Sequence, residues 1–225
     1  AAEKLANLLA RSAPALPEDA QRLARVQQAI ALLKKLIDLH PSNERLTLLG
    51  SSLKRLALIH ARAGRAADEL QALADCQCAY EEAEQQALMT GAPTLYYAAM
   101  NRAATELRQV LLTKRPGLPR IDDSRLAAAR DSLQQQVTQS PTLWSVAALS
   151  ELGILSALSR GTLAAALAEL LHDLGDLHAR QPSPKDWASL RDQGEFLLLP
   201  YQAVADAAEV EAARTLMAAL EAWSR

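Results

Sequence analysis

Four prolines, Pro41, Pro93, Pro141 and Pro184, each stand just ahead of a run rich in Ala and Leu, at separations of 52, 48 and 43 residues. Proline lacks the backbone donor that a helix interior needs, so each marks a boundary. Two boundaries share their wording: Pro93-Thr94-Leu95-Tyr96-Tyr97 and Pro141-Thr142-Leu143-Trp144-Ser145. In each, Pro closes one unit and Thr caps the helix of the next. The aromatic that follows is expected to pack between layers, which places Tyr97, Trp144 and Trp187 at equivalent interior positions. A single helix pair of this size cannot bury both its apolar faces, but stacked pairs share a continuous core. The spacing therefore predicts an all-α superhelix, a solenoid of about four to five antiparallel helix pairs.

Composition agrees. Half the residues are hydrophobic, yet only 4% are aromatic, and Ala and Leu dominate. These are the best helix formers, whereas Val and Ile are too scattered to build strands. Between Pro17 and Leu39 the apolar positions Leu23, Val26, Ile30, Leu33 and Ile37 step by three and four, one face of a helix. Pro17-Glu18-Asp19 reads as its start and His40-Pro41 as its stop, with Ser42 or Asn43 capping the next helix. Further helices are expected up to about Gly64, over 66–89, 94–112, 124–138, 142–159 and 163–179, from Trp187, and over 202–223. Pro200 reads either as a kink or as a new start. The stretch 113–124 holds two prolines and a glycine and reads as the longest loop, a possible hinge within a single domain covering 1–225.

Several classes of function are disfavoured. The formal net charge is -2 with both signs interspersed, so no basic face for nucleic acid is evident. No apolar stretch reaches the roughly 18 residues that span a bilayer. The amino end, Ala1-Ala2-Glu3-Lys4-Leu5, lacks the pattern of a secretion signal, and the cytoplasm is the expected compartment. Without an initiator Met the chain reads as a fragment or a processed product. Cys76 and Cys78 point about 200° apart on a helix, so they are not expected to bridge or to share a metal.

Chemistry is hard to find. No glycine-rich phosphate loop and no Gly-x-Ser-x-Gly elbow is present, and neither Cys has a His on its helical face. Glu169 and His172 share a face and are the best metal candidate, with Asp173, Asp176 and His178 nearby. A di-metal carboxylate site needs a second such pair, which is missing, and Leu170, Leu174 and Leu177 claim the core side. The chain is expected to be noncatalytic, with no cofactor and no metal.

At Asn43–Arg62 the segment Glu44-Arg45-Leu46-Thr47-Leu48-Leu49-Gly50-Ser51-Ser52-Leu53-Lys54-Arg55 resembles the first helix of a tetratricopeptide repeat. Leu46, Leu49, Gly50 and Leu53 match that family's frame, and Tyr97, Met100, Asn101 and Ala104 follow it more loosely. The units here are longer than the roughly 34 residues of that repeat. The wording looks like the divergent repeat regions of large bacterial multidomain proteins, where such repeats sit beside an effector such as a caspase-like peptidase. The resemblance implies a protein-interaction module whose first helices line a concave groove for a peptide, a partner helix or a neighbouring domain. Carried onto this chain, Thr47, Ser51, Lys54, Arg55, Arg102 and Glu106 would face that groove. Arg55 and Arg102 would then be placed to clamp a carboxylate. Two alternatives stand beside it: a regulatory or sensor segment of a larger effector, and a helical metal-carboxylate protein built on Glu169 and His172.

Overall fold

A computed structural model describes residues 1–92, 95–113, 123–180 and 183–224. Among the described residues there is no strand. The described residues form ten α-helices: α1 (Ala2–Ser12), α2 (Asp19–Leu39), α3 (Asn43–Arg62), α4 (Ala66–Thr90), α5 (Leu95–Thr113), α6 (Asp123–Gln139), α7 (Leu143–Arg160), α8 (Leu163–Ala179), α9 (Pro184–Gln202) and α10 (Ala207–Trp223). The all-α helical-repeat fold is as expected. The helices group into two compact units, 1–105 and 106–225, with the boundary inside α5. Residues 93, 94 and 114–122 lie outside the described residues, and with them the Pro93-Thr94 cap and the proposed hinge.

In the first unit α1 packs on α2, α2 on α3, and α3 most extensively on α4. The core comprises Val26 and Ile30 of α2, Leu53 and Ile59 of α3, and Cys76, Ala79 and Tyr80 of α4. Helix α1 was not anticipated. Its buried residues, Ala6 and Ala10, are followed one turn later by Ala13, so its core side is made of methyl groups. Periodicity built on Leu, Ile and Val does not register such a face. Helix α2 starts at Asp19 rather than at Pro17. Arg22 folds back across that start, donating from Nε to the Leu16 carbonyl at 2.6 Å. Ser42 caps α3 as expected, its Oγ accepting from the Arg45 N–H at 3.2 Å. His60, near the end of α3, is buried, and burial together with Arg65 pushes its pKa down.

In the second unit α6 packs on α7, α7 on α8, and α10 on both α8 and α9. Thr142 and Ser145 form a reciprocal capping box at the start of α7, and Ser183 with Asp186 does the same for α9. The aromatic expectation divides. Trp187 is fully buried and packs against Trp223 and His178, with ring centroids 5.1 and 5.4 Å away. Trp144 and Tyr97, by contrast, are 47% and 42% exposed. Ala147, Ala148, Leu152 and Leu155 take the buried side of α7, whereas Trp144, in its first turn, is not covered. The two aromatics that follow the Pro-Thr-Leu wording are both exposed, and Trp187, which follows different wording, is the buried one.

Pro200 does not begin a new helix; α9 runs through it and ends two residues later. A proline at this position cannot donate to the carbonyl four residues back, which is that of Phe196. The buried Arg108 of α5 fills the gap: its Nη1 donates to the Phe196 carbonyl, and its guanidinium lies 4.7 Å from the Phe196 ring centroid. The side chain that repairs the helix lies 88 residues away in sequence.

Candidate functional site

The face of interest is carried by α3 and the first half of α5, within the first unit. Helix α4 is amphipathic with a fully exposed side, but along α3 only Glu44 and Arg62 are exposed. The polar residues of α3 are therefore held in a half-buried row rather than waving in solvent. Thr47, Ser51, Lys54 and Arg55 are all half-buried. Arg55 donates from Nη1 to both the carbonyl and Oγ of Ser51, each at 3.0 Å. Lys54 reaches across to α5, its Nζ donating to Asn101 Oδ1 at 3.3 Å, and Asn101 Nδ2 in turn donates to the Tyr97 carbonyl at 2.9 Å. Long cationic side chains pinned this way lose less entropy on binding than free ones.

Arg102 takes a different position. It is buried, and its guanidinium meets Glu81 at 3.1 Å and Glu84 at 3.1 Å, both on α4. Its charge is answered inside the unit. The two carboxylates lie three apart in sequence, on one face of α4, and this spacing was the available signal. Glu106 sits one turn beyond Arg102 on α5, half-buried, and falls in the second unit.

Beneath the face lies a polar seam. Cys76 on α4 donates its thiol to the Gly50 carbonyl at 3.2 Å and stands 3.5 Å from Thr105 Oγ1. Thr105 donates to the Asn101 carbonyl at 2.8 Å. Burial pushes the Cys76 thiol up to about 11, partly offset by its contact with Thr105, so it carries no thiolate at neutral pH and is no nucleophile. Cys78 is exposed, and both cysteines are free. Iodoacetamide should therefore add one label to the native chain at neutral pH and a second only after denaturation. Two labels gained at equal rates would contradict this placement of Cys76.

Gly50 earns its position by packing. A methyl group there would come within 2.8 Å of Tyr80 Cζ and 2.9 Å of both Cε carbons. The Tyr80 ring lies directly on the α3 backbone, which is what a small residue permits. Its hydroxyl is buried. Burial holds its pKa well above the usual tyrosine range; Tyr97 and Cys76 add to the rise and Arg55 opposes it. Sequence reasoning missed Tyr80, because a tyrosine in an amphipathic helix reads as core.

The metal alternative finds no geometry to support it. Glu169 is exposed, and His172 faces outward, its Nδ1 4.0 Å from Asp176. Among the described residues no three His, Cys, Asp or Glu side chains converge as ligands would. No described helix is long and apolar enough to cross a membrane.

Comparison with known families agrees with this frame. Residues 1–112 match the family described as Tetratricopeptide Repeats-Sensor. No curated protein and no solved structure matches the chain significantly. The matched segment spans α1 to α4 and nearly all of α5, and so carries the whole α3/α5 face. The amino-terminal half of the chain is thus a tetratricopeptide-like helical repeat region.

Proposed function

We propose that this chain is a noncatalytic recognition module, and that the α3/α5 face of its first unit takes up an acidic segment of a protein partner. The observation that carries this reading is the half-buried row Thr47, Ser51, Lys54 and Arg55 with Asn101 opposite. It brings two cations and three neutral hydrogen-bonding groups onto one face. Such a row offers charge-assisted hydrogen bonds at modest entropic cost. Arg102 supports the face from behind rather than touching the partner.

A direct test uses fluorescent hexaglutamate peptide and the full chain. Lys54→Ala combined with Arg55→Ala should weaken binding roughly tenfold or more, since each charge-assisted bond contributes about 1.5–3 kcal/mol. Helicity should be unchanged. Binding should also fall with added salt, as expected for a partly exposed charge contact. Equal binding by the double variant would refute the assignment of this face.

A second reading, a sensor segment that governs an attached effector, is favoured by the description of the matched family. It uses the same face, with ligand occupancy as the signal. Its test is the full-length reading frame: an adjoining effector domain whose activity changes with Lys54→Ala and Arg55→Ala supports it.

A further inference from the structure

We propose that the turn joining α3 to α4 is an acid-sensitive clasp: Arg65 holds His60 while the imidazole is neutral, and protonation of His60 breaks that hold and passes the ring to Asp68. Three turns of the chain are built alike. Helices α3, α4 and α7 each end at a glycine with positive φ, at Gly64, Gly91 and Gly161. In each, the residue after the glycine donates its N–H to the carbonyl five residues back: Arg65 to His60 at 2.9 Å, Ala92 to Ala87 at 2.9 Å and Thr162 to Ala157 at 3.0 Å. This is the Schellman closure of a helix, whose two ends commonly touch through apolar side chains. Ala87 with Ala92, and Ala157 with Thr162, hold nothing that titrates. His60 and Arg65 differ, because their side chains are joined as well: Arg65 Nε donates to His60 Nδ1 at 3.0 Å.

The direction of that bond fixes the state of the ring. A guanidinium only donates and stays charged at physiological pH, so Nδ1 must offer a lone pair. His60 is therefore neutral, with its proton on Nε2. A proton added to Nδ1 would point at the Arg65 donor and at a second positive charge. Asp68 Oδ2 stands 3.8 Å from Nδ1 and 3.9 Å from Arg65 Nε. That is too far for a hydrogen bond to the neutral ring, yet close enough for the carboxylate to accept from an imidazolium after a small shift.

The charges that act on the ring are Arg65 from the turn and Asp68 and Glu69 from α4. Arg62, on α3 itself, is exposed, and α1 and α2, which also pack on α3, add none among the described residues. Burial and Arg65 press the imidazole below its ordinary value, and the two carboxylates oppose them. A histidine with a depressed pKa stabilises the fold above the unfolded value of about 6.5, and that contribution is lost as pH falls below it. The clasp thus loosens on mild acidification, at the end of the helix that carries Lys54 and Arg55.

The test is nuclear magnetic resonance of the 15N-labelled full chain at about pH 7.5 and about pH 5.5, either side of the imidazole range. At the higher pH the His60 ring should show a bare Nδ1 and a protonated Nε2. At the lower, exchange protection of the Arg65 amide, corrected for intrinsic rate, should fall about fivefold or more, as for the loss of one neutral hydrogen bond. Ala92 and Thr162, in the two turns without a clasp, should keep theirs. A proton on Nδ1 at the higher pH, unchanged protection at Arg65, or equal loss at all three turns would each overturn the clasp. Arg65→Met, with helicity checked by circular dichroism, should raise the pH at which His60 titrates, and an unmoved titration would overturn the hold by Arg65. Asp68→Asn, which leaves Arg65 in place, should lower the same titration. No movement there would overturn the passage to Asp68.

Discussion

Arg102→Glu is expected to unfold the amino-terminal unit rather than to erase a binding surface. The native guanidinium is buried between Glu81 and Glu84, at 3.1 Å from each. Removing one partner of such a group strands charge in a poorly solvated place, at about 3–5 kcal/mol. The substitution goes further and puts a third carboxylate beside the first two. A unit of 105 residues should lose roughly 15 °C or more in its thermal midpoint. Arg102→Met should cost nearly as much, since both glutamates remain. Adding Glu81→Gln and Glu84→Gln to Arg102→Met should recover most of the loss, because the uncompensated charge is then gone. An Arg102→Glu chain that melts like wild type would mean that the guanidinium faces solvent, as the repeat frame alone had implied.

Glu209→Ala should be comparably severe for the second unit. Glu209 belongs to α10, but its carboxylate, in a residue only 7% exposed, serves α8. It accepts from the backbone N–H of Leu163 at 2.8 Å and of Ala164 at 3.1 Å, and from the Tyr201 hydroxyl at 2.7 Å. The first donors of a helix have no partner within it, and the Thr162 side chain does not cap this one. Alanine would leave three donors without an acceptor. At about 1–3 kcal/mol for each buried group, a total near 3–5 kcal/mol is expected. Amide exchange should show the loss first at Leu163 and Ala164. Burial and Glu209 together push the Tyr201 pKa upward, so its phenol stays a donor. Tyr201→Phe should accordingly cost less, removing one bond and leaving the cap in place. Unchanged protection of the α8 amino terminus in Glu209→Ala would refute the capping role.

These two residues show where reading a sequence stops. Asp206-Ala207-Ala208-Glu209 has the spacing of a capping box, in which the glutamate would turn back on its own helix. Asp206 does cap α10, accepting from Ala208 and Glu209 N–H at 3.0 and 3.1 Å. The glutamate crosses instead to α8, a choice made by packing. Arg102 is the same case: the repeat frame aimed it at a groove, and two carboxylates of α4 drew it inward. Trp144 and Trp187 occupy positions that looked equivalent, and only Trp187 is buried.

Local chemistry was legible because its partners are close along the chain. Ser42, Thr142, Gly91 and Gly161 stop or start helices through bonds within a few residues, and each boundary was readable within two positions. The three-and-four spacing of Leu and Ile likewise required a buried stripe on nearly every helix, and hence an all-α stack. What lay beyond reach was every contact that joins distant positions: Arg108 answering the carbonyl freed by Pro200, Glu209 capping α8, and Tyr80 lying across Gly50. Helical periodicity says which side of a helix is apolar, but not which neighbour will meet it or which polar groups that neighbour will strand. Those matters follow from how the helices pack, because a buried charge or hydroxyl must find its partner in space rather than in sequence.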